Sequence, residues 1–395
     1  MKIHKHLVET IIGALDEVFE HGQYADKVIQ RNLKAQKQWG SRDRRFFAES
    51  VYEIVRWERL LSYLADDNDF WKIWGAYWIR QGHELPDWPE LEGLSVKDVT
   101  ARQKDIPSFA VAQSIPDWMA ARLEQELGPD YKDVVRALNQ PAEVFLRTNV
   151  LKTTPDELLK TLTEAGISAV KVSPDLPHAL KLTERKNVFI TEPFKKGLFE
   201  VQDAASQMVV PLLDVQPGHR VIDACAGAGG KSLHMASLMK NKGKIISLDI
   251  HEWKLQELKV RARRDGVDVI ETRLIDSSKV IKRLYETADR VLLDVPCSGM
   301  GVLRRNPDSK WKLTSDEIAR LQDLQYEILT SYCEMTKKGG QLVYATCSLL
   351  PSENEKQIEK FMAEHGSRWT LLKQIHLRPD KEGFDGFYAA LLKRN

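Results

Sequence analysis

Cysteine is scarce in this chain: Cys225, Cys297, Cys333 and Cys347 are its whole complement in 395 residues. They are too few and too scattered for a disulfide framework, and no two stand as C-x-x-C, which disfavours a structural zinc site. A reducing, cytoplasmic setting fits, and each thiol is then either core packing or a reactive group. No run of about 18 apolar residues occurs, so no membrane span is expected. The first ten residues, MKIHKHLVET, lack the apolar stretch and small-residue cleavage site of a secretory leader. The net charge is only +1, so no bulk excess announces a nucleic-acid partner. There is no internal repeat and no low-complexity tract. The 43% hydrophobic and 29% charged composition excludes a disordered chain, and the length suits two or three domains.

What charge there is has been gathered. Lys27, Arg31, Lys34, Lys37, Arg42, Arg44 and Arg45 face the single acid Asp43, with Trp39 and Phe46 interleaved. Such a stripe suits phosphate contact, and equally a solvated helical face. Residues 5–65 read as amphipathic helices, with Leu7, Ile11, Leu15 and Phe19 on one face. Trp71, Trp74, Trp78 and Trp88 follow at helical spacing. A face buried in a core explains them better than a base-stacking platform.

From Glu143 the pattern changes. VFLRTNV (144–150) reads as a strand, Thr154 or Asp156 opens a helix ending at Gly166, and ISAVKVS reads as a second strand. Beyond about residue 198, strands and helices alternate: 220–225, 244–250, 290–295 and 341–348 are apolar runs of the buried, parallel kind. Ser352-Glu-Asn-Glu355 has capping-box form before an apolar helix. The expected organisation is a helical region over 1–135, a small α+β unit over 136–197 and a doubly wound α/β domain over 198–395.

Residues 221–236 read as strand, glycine-rich turn and helix. Gly227, Gly229 and Gly230 let the backbone turn sharply and approach a ligand. Asp249 closes the next strand, placed for ribose hydroxyls, and Asp276 follows a third strand as the candidate for an adenine amine. The turn is G-x-G-G rather than G-x-G-x-x-G, which suits a ligand without a pyrophosphate, such as S-adenosylmethionine. A phosphate loop would need glycine where Cys225 stands.

Two thiols sit at strand tips, in Asp294-Val-Pro-Cys297 and in Thr346-Cys347-Ser348, where open α/β sheets bind ligands. Cys225 and Cys333 are expected in packing. A thiolate adding to carbon 6 of cytosine makes carbon 5 nucleophilic, which is covalent catalysis suited to methyl transfer. Asp294 is placed to hydrogen-bond the pyrimidine.

VQDAASQ (201–207), DACAGAGGKS (223–232), LLDVPCSGMGVLRRNPDSKWK (292–312), YATCSLLPSENE (344–355) and DGFYAALLKR (385–394) carry a resemblance in order over about 200 residues. The chain resembles the RsmB/NOP/NSUN family of RNA cytosine-5 methyltransferases, its bacterial RsmB branch above all. The resemblance implies a Rossmann-like class I methyltransferase sheet, preceded by a NusB-like helical domain and the small α+β unit. It implies Cys347 as nucleophile and Cys297 as the residue that assists product release. It places S-adenosylmethionine on Ala226, Gly227, Ala228, Gly229, Gly230 and Lys231, with Asp249, Asp276 and Asp294. The usual family turn reads C-A-A-P-G-G-K; here Gly227 and Ala228 replace Ala and Pro, which removes no side-chain ligand. It implies RNA contacts by Arg147, Asn149, Arg304, Arg305 and Lys312, and 16S ribosomal RNA as substrate. A monomer acting on RNA, with no metal and no membrane attachment, is the expectation. The alternatives are a non-catalytic RNA-binding or ribosome-assembly factor, the same chemistry on transfer or 23S RNA, and a dinucleotide oxidoreductase, which the turn disfavours.

Overall fold

The computed structural model describes residues 3–395; Met1 and Lys2, part of the leader reading, lie outside the described residues. The chain forms two compact units: residues up to Gln140 together with Leu303–Ser315, and Pro141–Val302 together with Asp316–Asn395. No helix among the described residues is long and apolar enough to cross a membrane.

The second unit holds both sheets. A four-stranded antiparallel sheet contains β1 (Phe145–Thr148), β2 (Ala169–Lys171), β3 (Ala179–Leu182) and β4 (Phe199–Val201) in the order β2-β3-β1-β4. Its crossing helix, Pro155–Glu164, opens with a full Thr154–Glu157 capping box and buries Leu158 and Leu162. The larger sheet contains β5 (Arg220–Asp223), β6 (Lys244–Asp249), β7 (Ile270–Leu274), β8 (Ala288–Asp294), β9 (Thr336–Thr346), β10 (Trp369–Leu377) and β11 (Phe387–Arg394). Its order is β10-β11-β9-β8-β5-β6-β7. The five strands from β9 to β7 pair in parallel, and β11 and β10 add an antiparallel edge.

The apolar runs are continuous because both faces are covered. Ile222, Ile246, Val291 and Leu293 pack on one side, Val221, Ile245, Leu292 and Val343 on the other. Strand order reverses between β5 and β8. The crevice outside their carboxyl ends is therefore the ligand position for such a sheet.

One local expectation is overturned. The helix Glu355–His365 has Asn354 at its N-cap, with no side-chain cap bond. Ser352 instead accepts from Gln322 Nε2 at 2.8 Å, and Glu355 faces His376 at 3.2 Å. The residues between them, Glu353 and Asn354, turn inward to other partners, which costs the helix its cap.

The first unit is helical. Lys5–Phe19, Ala25–Ala35, Ser41–Ala65 and Phe70–Arg80 surround a core in which Trp74 is fully buried. Trp74 stacks on Trp78 and Trp88 with ring centroids 5.4 and 5.8 Å away. The tryptophan segment is thus core, as its spacing predicts. The basic stripe is partly consumed within the unit: Arg44 donates to Leu33 O at 2.7 Å and Gln36 O at 3.0 Å, and Arg31 pairs with Glu17.

The long helix Ser41–Ala65 breaks its geometry at Trp57 (φ −113°, ψ 17°). A kink exposes backbone groups that need other partners. Residues 303–315 supply them: Lys310 Nζ donates to Arg56 O at 2.5 Å and Trp311 Nε1 to Val55 O at 2.7 Å. In return Arg56 Nη2 donates to Arg304 O at 3.1 Å. Truncating Trp74 to alanine removes the centre of this core. It should destabilise the helical unit by about 3–5 kcal/mol, read as a lower denaturant midpoint.

Candidate active site at the carboxyl ends of the strands

The turn after β5 is held open by glycine. Gly229 has φ +86°, and a Cβ there would lie 2.0 Å from Leu258 Cδ1. The carbonyls of the turn are fixed from behind: Arg261 Nη1 donates to Ala228 O and Arg147 Nη1 to Gly230 O, each at 2.7 Å. In front, Gly227 N donates to Asp249 Oδ2 at 2.9 Å, and His251 N to Asp249 Oδ1 at 2.8 Å. The acid that ends β6 is therefore tied to the turn it serves.

Beside the turn lies a cavity of about 230 Å³, lined by Val201, Gln202, Ser206, Asp223, Cys225, Ala226, Gly230, Lys231, Arg261 and Asp294. Lys231 Nζ pairs with Asp294 Oδ2 at 2.6 Å and lies 5.1 Å from the Phe387 ring centroid. Asp223 is buried, and Ser232 donates to its Oδ2 at 2.6 Å. Its Oδ1 is buried without a hydrogen-bond partner. Burial pushes the Asp223 carboxyl up to about 7, helped by the charge of Asp294 and opposed by the Ser232 hydroxyl. A buried, under-satisfied carboxylate in a polar cavity is a place for a cationic amine. S-adenosylmethionine carries one, and these residues fit it.

The two cysteines meet. Asp294 stands opposite Ala345 in the β8–β9 ladder, and Val295 N donates to Ala345 O at 3.0 Å as the pairing ends. Just beyond, the sulfurs of Cys297 and Cys347 lie 3.2 Å apart, both half-buried free thiols. The hydrogen bond to Cys347, burial and the nearby Glu353 carboxylate push the Cys297 thiol well above its ordinary range. The shift favours the protonated form of Cys297, and either sulfur can donate to the other.

The structure gathers most of the sequence-predicted residues here. Ala226 to Lys231, Asp249 and Asp294 surround the crevice, and Asp276 is exposed beyond the end of the outermost parallel strand. Cys333 is buried as expected, and half-buried Cys225 packs against the core while also lining the cavity.

The RNA contacts need correction. Arg147 and Asn149 are 2% and 4% exposed, with Asn149 Nδ2 spent on Gly197 O and Asp265 O. Arg304 is 5% exposed, so none of the three offers a surface to phosphate. Lys312 donates to Gln23 O at 2.7 Å and to Asp308, and with half-buried Arg305 it belongs to the helical unit. Sequence reasoning missed Asp223 and Arg261. Asp223 stood inside a quoted motif, but nothing local marks Arg261, whose role depends on a helix 33 residues from Ala228.

Residues 210–393 match the sequence model of the 16S rRNA methyltransferase RsmB/F family. Residues 115–189 match that of the RsmF/B-like ferredoxin-like domain. The chain is 32% identical to a probable ribosomal RNA small subunit methyltransferase B of Synechocystis sp., over 96% of this chain and 97% of that one. It is 37% identical to the ribosomal RNA small subunit methyltransferase B of Klebsiella pneumoniae, over 78% and 74%. Among solved structures, a methyltransferase homolog protein from Pyrococcus horikoshii superposes with TM-score 0.65 at 29% identity, over 73% of this chain and 98% of that one.

The Asp223 carboxyl generates a pH prediction. Below about 7 it takes up a proton in the ligand-free protein, and its attraction for a cationic amine is lost. S-adenosylmethionine affinity should therefore fall as pH drops from 7 to 5.5, approaching tenfold per unit, while the ligand's own amine stays charged. Calorimetry checks this, and Asp223→Asn should flatten the profile.

Proposed function

Because the chain belongs to the RsmB/F family of S-adenosylmethionine-dependent methyltransferases, we propose that it methylates carbon 5 of a cytosine in small-subunit ribosomal RNA. The bond to the base is made by Cys347. The observation that carries this reading is the pair of thiols 3.2 Å apart at the ends of neighbouring strands, one of them three residues past Asp294, which pairs with Lys231. A binding module has no use for such a pair. The substrate class follows the names of the relatives that this chain matches over most of its length.

Cytosine carbon 5 is a weak nucleophile. The Cys347 thiolate adds to carbon 6, forming a carbon–sulfur bond and shifting electron density onto carbon 5. Bound S-adenosylmethionine supplies an electrophilic methyl group. Once carbon 5 carries the methyl group, it gives up its proton to solvent water, and the carbon–sulfur bond breaks with its electron pair returning to Cys347 as thiolate, which restores the aromatic ring. Asp294, charge-balanced by Lys231, faces the base's ring nitrogen and exocyclic amine. Cys297, protonated at rest, assists the release of Cys347. Asp249 would hold the ribose of S-adenosylmethionine, the turn 226–231 its methionine end, and Asp276 its adenine.

The base must leave its stack to reach a thiol in this crevice, at about a few kcal/mol, so single-stranded loops or bulges are the preferred targets. Transfer of labelled methyl to unmodified ribosomal and transfer RNAs, with bisulfite mapping, tests the proposal. Cys347→Ser should lower transfer by more than about a thousandfold, the scale of losing a nucleophile. Cys297→Ser should accumulate a covalent RNA–protein adduct, seen as a shifted band in denaturing gels. Full activity in Cys347→Ser, or no adduct in Cys297→Ser, would overturn the assigned roles. Label confined to another RNA would keep the chemistry and discard the substrate.

A further inference from the structure

The sheet alone does not bring two sulfurs together. Its β8–β9 ladder ends at Val295 and Ala345, and both cysteines lie past that point. Something else must hold the two loops side by side, and the polar contacts beneath them converge on one carboxylate.

Glu353 is fully buried. Its Oε1 accepts from Ser298 N at 2.8 Å and from Gln325 Nε2 at 2.9 Å. Its Oε2 accepts from the Ser298 hydroxyl at 2.5 Å and from the Ser348 hydroxyl. Ser298 directly follows Cys297 and Ser348 directly follows Cys347. Gln325 adds a second tie to the first loop, donating to Pro296 O at 2.9 Å. We propose that Glu353 is a positioning residue for the two thiols, binding the residue after Cys297 to the residue after Cys347 and so fixing the distance between the sulfurs.

The side-chain type matters. Four donors fill the acceptor sites of its two oxygens. Glutamine would turn an NH2 group toward donors on one side; the serine hydroxyls can rotate to accept it, so Glu353→Gln is the mild variant. Alanine removes the side-chain link between Ser298 and Ser348, leaving the Gly301 N to Cys347 O contact, and leaves the Ser298 amide unsatisfied in a dry site. The inference rests on Cys297 and Cys347 being the working pair.

The full chain tests it through a reaction that needs neither RNA nor methyl transfer. With oxidised glutathione as oxidant, the two protein thiols form one disulfide and release two reduced glutathione molecules. The equilibrium constant gives the effective concentration of one thiol at the other. Glu353→Ala should lower it tenfold or more, with S-adenosylmethionine affinity within twofold of the parent and Glu353→Gln in between. In methyl transfer the same variant should lose kcat with little change in RNA KM. If Glu353→Ala fails to bind cofactor, Ser298→Ala with Ser348→Ala removes the hydroxyl arms and carries the same expectation. An effective concentration unchanged within twofold in a cofactor-binding variant would overturn the proposal. A chain without cytosine activity whose thiol equilibrium still depends on Glu353 would instead overturn the function and keep the clamp.

Discussion

The active end of the large sheet depends on the parallel register between β8 and β9. With Asp294 opposite Ala345, the chains leave the sheet side by side, at the spacing of paired strands, about 4.8 Å. Each then carries a cysteine within three residues. A slip of one residue would move every side chain to the other face and separate the thiols. The loops beyond the ladder are drawn close by backbone contacts that need glycine. Gly301 N donates to Cys347 O at 2.9 Å and Gly386 N to Gly301 O at 2.8 Å. A Cβ on Gly301 would lie 2.1 Å from Gly386 O.

Two buried carboxylates in this unit show how hydrogen bonding separates scaffold from site. Taking a carboxylate out of water costs several kcal/mol. Around Glu353 four donors offset that cost, hydrogen bonds to a charged group contributing about 1.5–3 kcal/mol each. Asp223 has the Ser232 hydroxyl on one oxygen and otherwise only the Cys225 backbone to offset its burial, and its carboxyl rises to about 7. The satisfied acid fixes structure. The unsatisfied one faces a cavity, where a ligand's amine completes what the fold leaves open.

The legible part of the chain was the part governed by local rules. The 3.6-residue apolar spacing of Leu7, Ile11 and Leu15 gives a helix, and the unbroken apolar runs give parallel strands. Cysteines following aspartate or threonine at strand ends mark the crevice. The capping box at Ser352 and Glu355 misled because Glu353 and Asn354, between them, are worth more to the cysteine loops than to the helix. Asn354 accepts from the Thr346 hydroxyl at 2.5 Å and donates to Ser348 O at 3.0 Å. Long-range partners of this kind leave no trace in periodicity or propensity.

Basic residues were the least legible of all, because a sequence does not show which carbonyl a cation will find. Arg147 closes the turn at Gly230, Arg44 the end of the helix Ala25–Ala35, and Lys310 a carbonyl beside the Trp57 kink. The Leu33 and Arg56 oxygens lie at a helix end and beside a kink, where carbonyls lose their helical partners, and a charged donor there is stronger than a neutral one. Burial then lowers the Lys310 ammonium well below its ordinary range, a cost accepted only where the carbonyl would otherwise stand alone. A cluster of arginine and lysine next to a catalytic motif is therefore as much a sign of broken helices and exposed turns as of phosphate. Only the depth of each side chain separates the two.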